Sequence, residues 1–470
     1  MRDKEFMVKL MTTVAQISGF FNPKSIAVIG ASTKPGKIGY AVLKNLLDFY
    51  NNGGKVYPIN PKADKILGLK AYKSIKDVPD EVDLAVIVIP ARIVPLVMEE
   101  CASASVKGVI IISAGFSEIG AEGRKLEDEV MRIARKNGIR VVGPNCQGII
   151  NMTSNLIAWF GPVPKKRGPV AFITQSGAYG GSLISWTNKL RMKFFNIVVS
   201  IGNKCDVDEA ELISFLAQNE TVKVIALYLE GVKNGRKFME AARDASKIKP
   251  IVVLRAGRSP EGARAIASHT GSLAGKDEIY NAAFKQAGIV RVNTTEELLD
   301  SSLALAAEHH APGNNIVIIT NAGGPGAIAT DICYEYNIKL LKFSEKTVSE
   351  LRKVLPPQCA VENPIDVTGD PRPERFDLAL KIVFENEDPS GVIFIVIGPL
   401  RGGEEVAKII LKYRRMYRKP FVVCWLAREY AGRGPAMVKR AGIPIYDTPE
   451  RAVTAMAALV KYGTYLRRKR

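Results

Sequence analysis

Histidine is nearly missing from this chain: there are three in 470 residues, and two of them, His309 and His310, are adjacent. Cysteine is sparse as well. The six cysteines stand at 101, 146, 205, 333, 359 and 424, none in a C-x-x-C pair and none beside a histidine. That spacing excludes a zinc site and a disulfide frame, and fits reduced thiols in the cytoplasm. No metal ligand set is expected. No long apolar run is present either. The most apolar segment, Leu84 to Met98, is broken by Pro90, Arg92 and Pro95 and is too short to span a bilayer. The N-terminus, Met1-Arg2-Asp3-Lys4-Glu5, has no apolar stretch behind it, so no signal peptide is visible and no membrane partner is expected. Acid is scarce relative to base, 47 residues against 66, for a formal net charge of +19. Such a surplus favours polyanionic partners: nucleotides, phosphate, coenzyme A or nucleic acid. The basic residues are spread along the chain and only Arg467-Arg468-Lys469-Arg470 is dense, which reads as a solvated end and not as a nucleic-acid arm.

What is present is apolar material for several cores. The length suggests roughly three domains of 100–200 residues. Short β-branched runs alternate with helix-period segments throughout, the pattern of parallel sheets with crossover helices. The first unit has expected strands near Ser25–Ile29, Lys55–Ile59, Asp83–Ile89, Gly108–Ser113 and Arg140–Val142, with a helix at Glu122–Lys136. Breakers and charge in Gly161–Pro169 mark a linker. The second unit has strands near Val170–Thr174, Asn196–Ser200, Val222–Leu229 and Pro250–Leu254. A second linker is expected at Ala311–Asn314. The third unit has strands near Asn315–Thr320, Gly391–Ile397 and Pro420–Cys424, then a helix from about Pro449 to Tyr462. Units two and three open alike: Val170–Gly180 can be laid on Ile316–Gly326, with Thr-(Gln/Asn)-small-Gly at the turn.

A strand, a glycine turn and a helix start put bare N–H groups and a positive helix end at one point, which is an anion site. Three such turns occur. The first, Gly30-Ala31-Ser32-Thr33-Lys34-Pro35-Gly36-Lys37-Ile38-Gly39, is longer than the tight G-x-G-x-x-G of dinucleotide enzymes. Its second strand ends Asn60-Pro61-Lys62, without the acid that binds a nicotinamide ribose. A lysine there suits a ligand with more phosphate, so coenzyme A ranks above NAD. The other two turns hold Gln175-Ser176-Gly177-Ala178 and Asn321-Ala322-Gly323-Gly324. Two helix ends aimed at one phosphate would each contribute roughly 0.3–1 kcal/mol; ordinary capping by Ser176 and Asn321 is the plainer reading.

His269 stands alone in Ser268-His269-Thr270-Gly271-Ser272-Leu273-Ala274-Gly275, preceded by Arg255-Ala256-Gly257-Arg258. A histidine on a flexible, basic, glycine-rich loop can carry phosphate as an N–P adduct; the alternative is a solvated histidine with no role. A carboxylate on its far nitrogen would fix the tautomer. Glu230, at the end of a buried strand, is suited to that task, or is only a cap or an ion pair. Asp366 is either a turn residue or part of the phosphate site. His309 and His310, near a helix C-terminus, read as surface groups stabilised by the helix dipole.

Taken together, these residues resemble the nucleoside-diphosphate-forming acyl-CoA synthetases, relatives of succinyl-CoA synthetase, and within them the α subunits of archaeal-type ADP-forming acetyl-CoA synthetases. The resemblance runs over nearly the whole chain. Gly30, Ala31, Ser32, Lys37, Gly39, Lys62, Pro90-Ala91-Arg92 and Gly143-Pro144-Asn145-Cys146 match the CoA-binding domain. Gln175–Ala178 and Asn321–Gly326 match the two phosphate-binding helix starts, Glu230 the supporting glutamate, and Ser268–Ser272 the phosphorylated loop. The resemblance implies a Rossmann-like CoA-binding domain (1–160), a flavodoxin-like CoA-ligase domain with the phosphohistidine (161–310) and a second of that type (311–470). It implies acyl-CoA, phosphate and ADP as substrates, with an acyl phosphate and phosphorylated His269 as intermediates. No segment reads as an ATP-grasp module, so ADP/ATP and Mg²⁺ are assigned to a separate ATP-grasp β subunit in an α2β2 assembly. A ligase for another acid, and a non-catalytic CoA-responsive regulator, are the competing readings.

Overall fold

The computed structural model describes residues 15–270, 275–369, 372–398 and 402–468, with the backbone alone at 268–270. The chain divides into two compact units, Met1–Arg291 and Val292–Arg470. Among the described residues no helix is long and apolar enough to cross a membrane.

The first unit holds two large sheets and a two-stranded ribbon, Lys65–Ile66 with Leu69–Lys70. One is five-stranded and parallel, in the order Lys55–Ile59, Ser25–Ile29, Leu84–Ile87, Gly108–Ile111, Arg140–Val142. Its strands are apolar runs because both faces are covered. Ile26 and Val28 enter one core, Ala27 and Ile29 the other. The second sheet has seven strands, ordered Val290–Val292, Ile251–Arg255, Val224–Leu229, Val170–Thr174, Phe195–Ser200, Gly148–Asn151, Leu156–Trp159.

The last two strands depart from expectation. Residues 148–159, assigned to the first domain, form an antiparallel hairpin that pairs with Phe195–Ser200 and so completes the second sheet. One continuous core then runs from Phe20 and Phe21 through Ile149 to Phe215. Phe21 stacks on Phe215 at 4.7 Å, and Asn45 and Asn151 donate to the carbonyls of Trp159 and Phe21 at 2.8 and 3.0 Å. This shared packing is why two sheets make one body.

The second unit starts earlier than the expected boundary at 311. Helix Thr295–Ala307 packs against the long helix Pro449–Arg467. Buried Asp300 takes two bonds from Arg451, at 2.7 and 2.8 Å, which anchors it there. The sheet runs Lys339–Leu340, Asn315–Thr320, Gly391–Ile397, Phe421–Leu426, Ile445–Tyr446, all parallel, with Ile365–Asp366 also paired to Asn315–Thr320. His309 and His310 are exposed just beyond the end of the Thr295–Ala307 helix.

In the five- and six-stranded sheets the strand order reverses once, and in the seven-stranded sheet the parallel run reverses where Val170–Thr174 meets Phe195–Ser200. The reversal falls beside Ser25–Ile29, Val170–Thr174 and Asn315–Thr320. Crevices form outside the strand ends at such points, and each is where one of the three glycine turns stands.

Candidate active site

The first turn is shaped by close backbone approach. Gly30 has φ +90°, and a Cβ there would stand 2.2 Å from the Val88 carbonyl oxygen. A Cβ on Gly39 would stand 2.0 Å from the Gly30 carbonyl oxygen, so the helix Ile38–Asn45 begins directly on the turn. Its N-cap residue Lys37 makes no side-chain cap and no acid occupies its first turn, so its first N–H groups suit an anion. Asn60 ties the turn to the next strand: its amide donates to the Ala31 carbonyl at 2.7 Å and its oxygen accepts from the Lys62 N–H at 2.8 Å.

A cavity of about 1070 Å³ opens on this turn and reaches the start of the Gly177–Lys189 helix. Gly30, Ala31, Ser32, Lys37, Gly39 and Pro90 line it, as do Gln175, Ser176, Gly177 and Ala178. Two predicted groups are therefore brought to one space from two sheets. Lys62, Ala91 and Arg92 are not in the lining. Lys62 and Arg92 are exposed, and Ala91 lies against Gly115 in a short 3-10 turn.

The lining also contains residues that spacing did not single out: Lys73, Ser113, Gln147 and Phe160. Gln147 follows directly on the Gly143–Cys146 motif, and that proximity was the available signal. Its side chain lies against Gly177 and Gly181, where Cβ atoms would stand 2.8 and 3.3 Å away. Cys146 is buried at the cavity wall and donates to the Ile111 carbonyl at 3.3 Å, and burial pushes its thiol up to about 12.

The second turn is built around Glu230, which is buried at the end of strand Val224–Leu229. The Gln175 side-chain oxygen accepts from the N–H groups of Glu230 and Gly231, the latter at 3.0 Å. That oxygen is thus committed to backbone, and Gln175 locks the glutamate loop to the helix start. Lys204 Nζ donates to the Gly231 carbonyl at 2.6 Å and to Glu209 at 2.9 Å. Burial pushes the Lys204 ammonium down, and Glu209 offsets part of that shift. Tyr228 stacks on Tyr179 at 4.3 Å; burial first, then the nearby Glu230 charge, raises its phenol well above the usual range. Ser176 caps the helix, its Oγ accepting from the Tyr179 N–H at 3.2 Å.

His269 is carried on the last turn of helix Pro260–Thr270; a loop was expected there. The run Ala263-Arg264-Ala265-Ile266-Ala267 has strong helix formers, and these extend the helix to Thr270. The His269 side chain, and residues 271–274, lie outside the described residues. The helix leaves the C-terminal end of the second sheet, as Glu230 does, and lies against the 3-10 turn Ser117–Ile119. Ser117 and Glu118 of that turn accept hydrogen bonds from Asn203, next to Lys204.

In the second unit Asn321 repeats the arrangement. Its oxygen accepts from the Ile397 N–H at 2.9 Å. Gly323 and Gly324 are exposed at the start of helix Gly323–Glu335. Asp366 also stands there: its Oδ2 would be 3.2 Å from a Cβ on Gly323, and its Oδ1 accepts from the Thr368 N–H at 2.9 Å. Among the described residues no cluster of acids, cysteines and histidines is arranged to hold a metal ion.

Comparisons with known proteins follow the same layout. Residues 24–152 match a CoA binding domain, 167–305 a succinyl-CoA ligase like flavodoxin domain and 316–429 a ligase-CoA domain. The chain is 44% identical over 448 residues to the α subunit of ADP-forming acetate–CoA ligase II of Pyrococcus furiosus, covering 94% of this chain and 97% of that one. It is 44% identical over 460 residues to the ligase I α subunit of the same organism, covering 96% and 98%. A structure from Ca. Korarchaeum cryptofilum, described as a dinucleotide forming acetyl-coenzyme A synthetase 1 in complex with phosphate and ADP, is 38% identical with a TM-score of 0.87, covering 96% and 98%.

Proposed function

Given that the chain belongs to the family of ADP-forming acetate–CoA ligases, we propose that it carries the CoA and phosphohistidine part of the reaction acyl-CoA + ADP + phosphate ⇌ acid + ATP + CoA. It is the α subunit of an acid–thiol ligase. The observation that supports this assignment of roles is the single cavity joining the Gly30–Gly39 turn to the Gln175–Ala178 helix start. A thioester held by the first turn would present its carbonyl to phosphate held at the second.

The steps follow from that placement. A phosphate oxygen attacks the thioester carbonyl, the C–S bond breaks, and the thiolate leaves as CoA, giving acyl phosphate. A nitrogen of His269 attacks phosphorus, the P–O bond to the acyl group breaks, and the acid leaves. Phosphoryl then passes to ADP, giving ATP and free His269. Glu230 stabilises the imidazole as positive charge develops. The uncapped helix start at Gly39 and the start at Gly177 hold anionic groups through N–H donors. Phosphoryl transfer asks mainly for such positioning and charge stabilisation.

ADP and Mg²⁺ belong on a separate ATP-grasp β subunit, in an α2β2 assembly. The six cysteines form no disulfide, and we place the protein in the cytoplasm. The test is ATP formation from acetyl-CoA, ADP and phosphate, with and without an ATP-grasp partner. Turnover is expected only with the partner. His269→Asn is expected to abolish the acid-labile phosphoprotein, and Glu230→Gln to slow its formation while leaving CoA binding intact by calorimetry. Normal labelling of His269→Asn would overturn the phosphohistidine assignment. Calorimetry belongs on the full chain, since the first two sheets share a core; CoA binding with negligible NAD binding is expected.

A further inference from the structure

The stretch bearing His269 runs from Gly257 to Gly275, and one buried guanidinium holds both ends. Arg255 is the last residue of strand Ile251–Arg255 and is 1% exposed. Its Nη1 donates to the Gly257 carbonyl at 3.0 Å and to Asp277 Oδ1 at 2.7 Å; its Nη2 donates to the Gly275 carbonyl at 2.9 Å. Arg291 holds the other carboxylate oxygen of Asp277 at 2.7 Å. The Tyr280 ring lies 4.0 Å from the Arg255 guanidinium, and its hydroxyl accepts from the Val232 N–H at 3.1 Å, two residues beyond Glu230. Sheet register pairs Arg255 with Leu229, the residue before Glu230.

Fold stability alone does not call for this arrangement. Burying a guanidinium is costly, and apolar packing stabilises a fold as well or better. The fork of Arg255 does what apolar residues cannot: it fixes two backbone points eighteen residues apart to one rigid group. Both points are glycines with little room to spare. Gly257 has φ +74°, with its Cβ position 2.6 Å from Ile266, and a Cβ on Gly275 would stand 3.0 Å from Tyr280. The helix Pro260–Thr270 springs from this base.

We propose that Arg255, with Asp277 and Tyr280, is a positioning clasp that sets the base of the His269-bearing stretch in register with Glu230. This rests on the phosphohistidine reading above. A phosphoryl carrier must reach in-line geometry, and small misplacements of such a group are expensive in rate. The clasp therefore acts on phosphoryl transfer and not on CoA binding.

The test uses the full chain with its ATP-grasp partner. Arg255→Lys keeps the charge but loses the three-way fork. It is expected to lower kcat for ATP formation, and the rate of labelling from ATP, roughly 10- to 100-fold, with KM for CoA unchanged. Tyr280→Phe keeps the ring and removes only the acceptor for Val232. It is expected to slow labelling by about three- to tenfold, as for one lost hydrogen bond. Rates are taken per folded molecule from parallel melting curves, and Tyr280→Phe carries the test if Arg255→Lys does not fold. Labelling at the wild-type rate in the folded variants, or a loss confined to KM for CoA, overturns the clasp. His269→Asn separates the two ideas. If it still labels, the phosphohistidine reading fails and the clasp falls with it; if it does not, and the clasp variants label normally, only the clasp fails.

Discussion

Two corners of the molecule, at residues 170–189 and 315–335, share three contacts. Thr174 donates its hydroxyl to the Ser176 carbonyl at 2.7 Å, and Thr320 to the Ala322 carbonyl at 3.1 Å. Gln175 and Asn321 each turn a side-chain oxygen to N–H groups at the end of the neighbouring strand. Gly180 and Gly326 each let the helix settle on the preceding threonine, with Cβ positions 3.0 and 3.1 Å from its methyl. The corners differ in what surrounds this frame. At the first, Ser176 caps the helix, the adjoining strand end bears Glu230, and a large cavity opens on the helix start. At the second, Ala322 leaves the helix without a side-chain cap, the adjoining strand ends Ile397-Gly398, and the Asp366 carboxylate stands beside Gly323. One pattern of residues thus builds one scaffold twice, and the neighbouring strand decides which chemistry it can support.

The comparison can be broken most directly at the amides. Gln175→Ala leaves two buried N–H groups in the Glu230 loop without their acceptor. It is expected to lower kcat for ATP formation about a hundredfold. Asn321→Ala removes the acceptor of one N–H, that of Ile397, at a strand end without an acid, and a loss below about tenfold is expected. Equal losses, measured side by side with the partner, would mean the strand end does not distinguish the corners.

The shared frame predicts matched damage. Gly180→Val and Gly326→Val each push methyl groups into a threonine already in contact, and each is expected to cost about 1–3 kcal/mol in denaturant unfolding. A large cost at one site and none at the other would refute the structural repeat. Capping should give opposite signs: Ser176→Ala is expected to destabilise by about 1 kcal/mol and Ala322→Ser to stabilise by roughly 0.5–1 kcal/mol. The smallest effect concerns charge. Asp366→Asn removes a carboxylate from a positive helix end, and phosphate affinity there is expected to rise about two- to fivefold by titration. Unchanged affinity would place the anion elsewhere.

Much of this molecule was legible from sequence, and the reason is local. Strands Ser25–Ile29, Lys55–Ile59, Val170–Thr174, Asn315–Thr320 and Gly391–Ile397 stand where the β-branched runs put them. A strand buried on both faces must be apolar at every position, and the glycine turn that ends it must follow at once. The positions of the glycine turns and of Glu230 were visible for the same reason: each sits at the end of such a run. What sequence could not carry was pairing at a distance. The hairpin Gly148–Trp159 is two short runs whose partner, Phe195–Ser200, lies some forty residues on, so the first two domains looked separable when they share a core. The helix Thr295–Ala307 is assigned to the second unit by its packing on Pro449–Arg467 and by the Asp300–Arg451 pair, both set by residues some 150 positions away. The position of Gln175 at its turn was legible; that its oxygen holds the Glu230 loop was decided by tertiary packing. Arg255 was one basic residue among 66. Its role exists only because the chain returns to it at Gly275 and Asp277, a closure set by the folded sheet and by no local propensity.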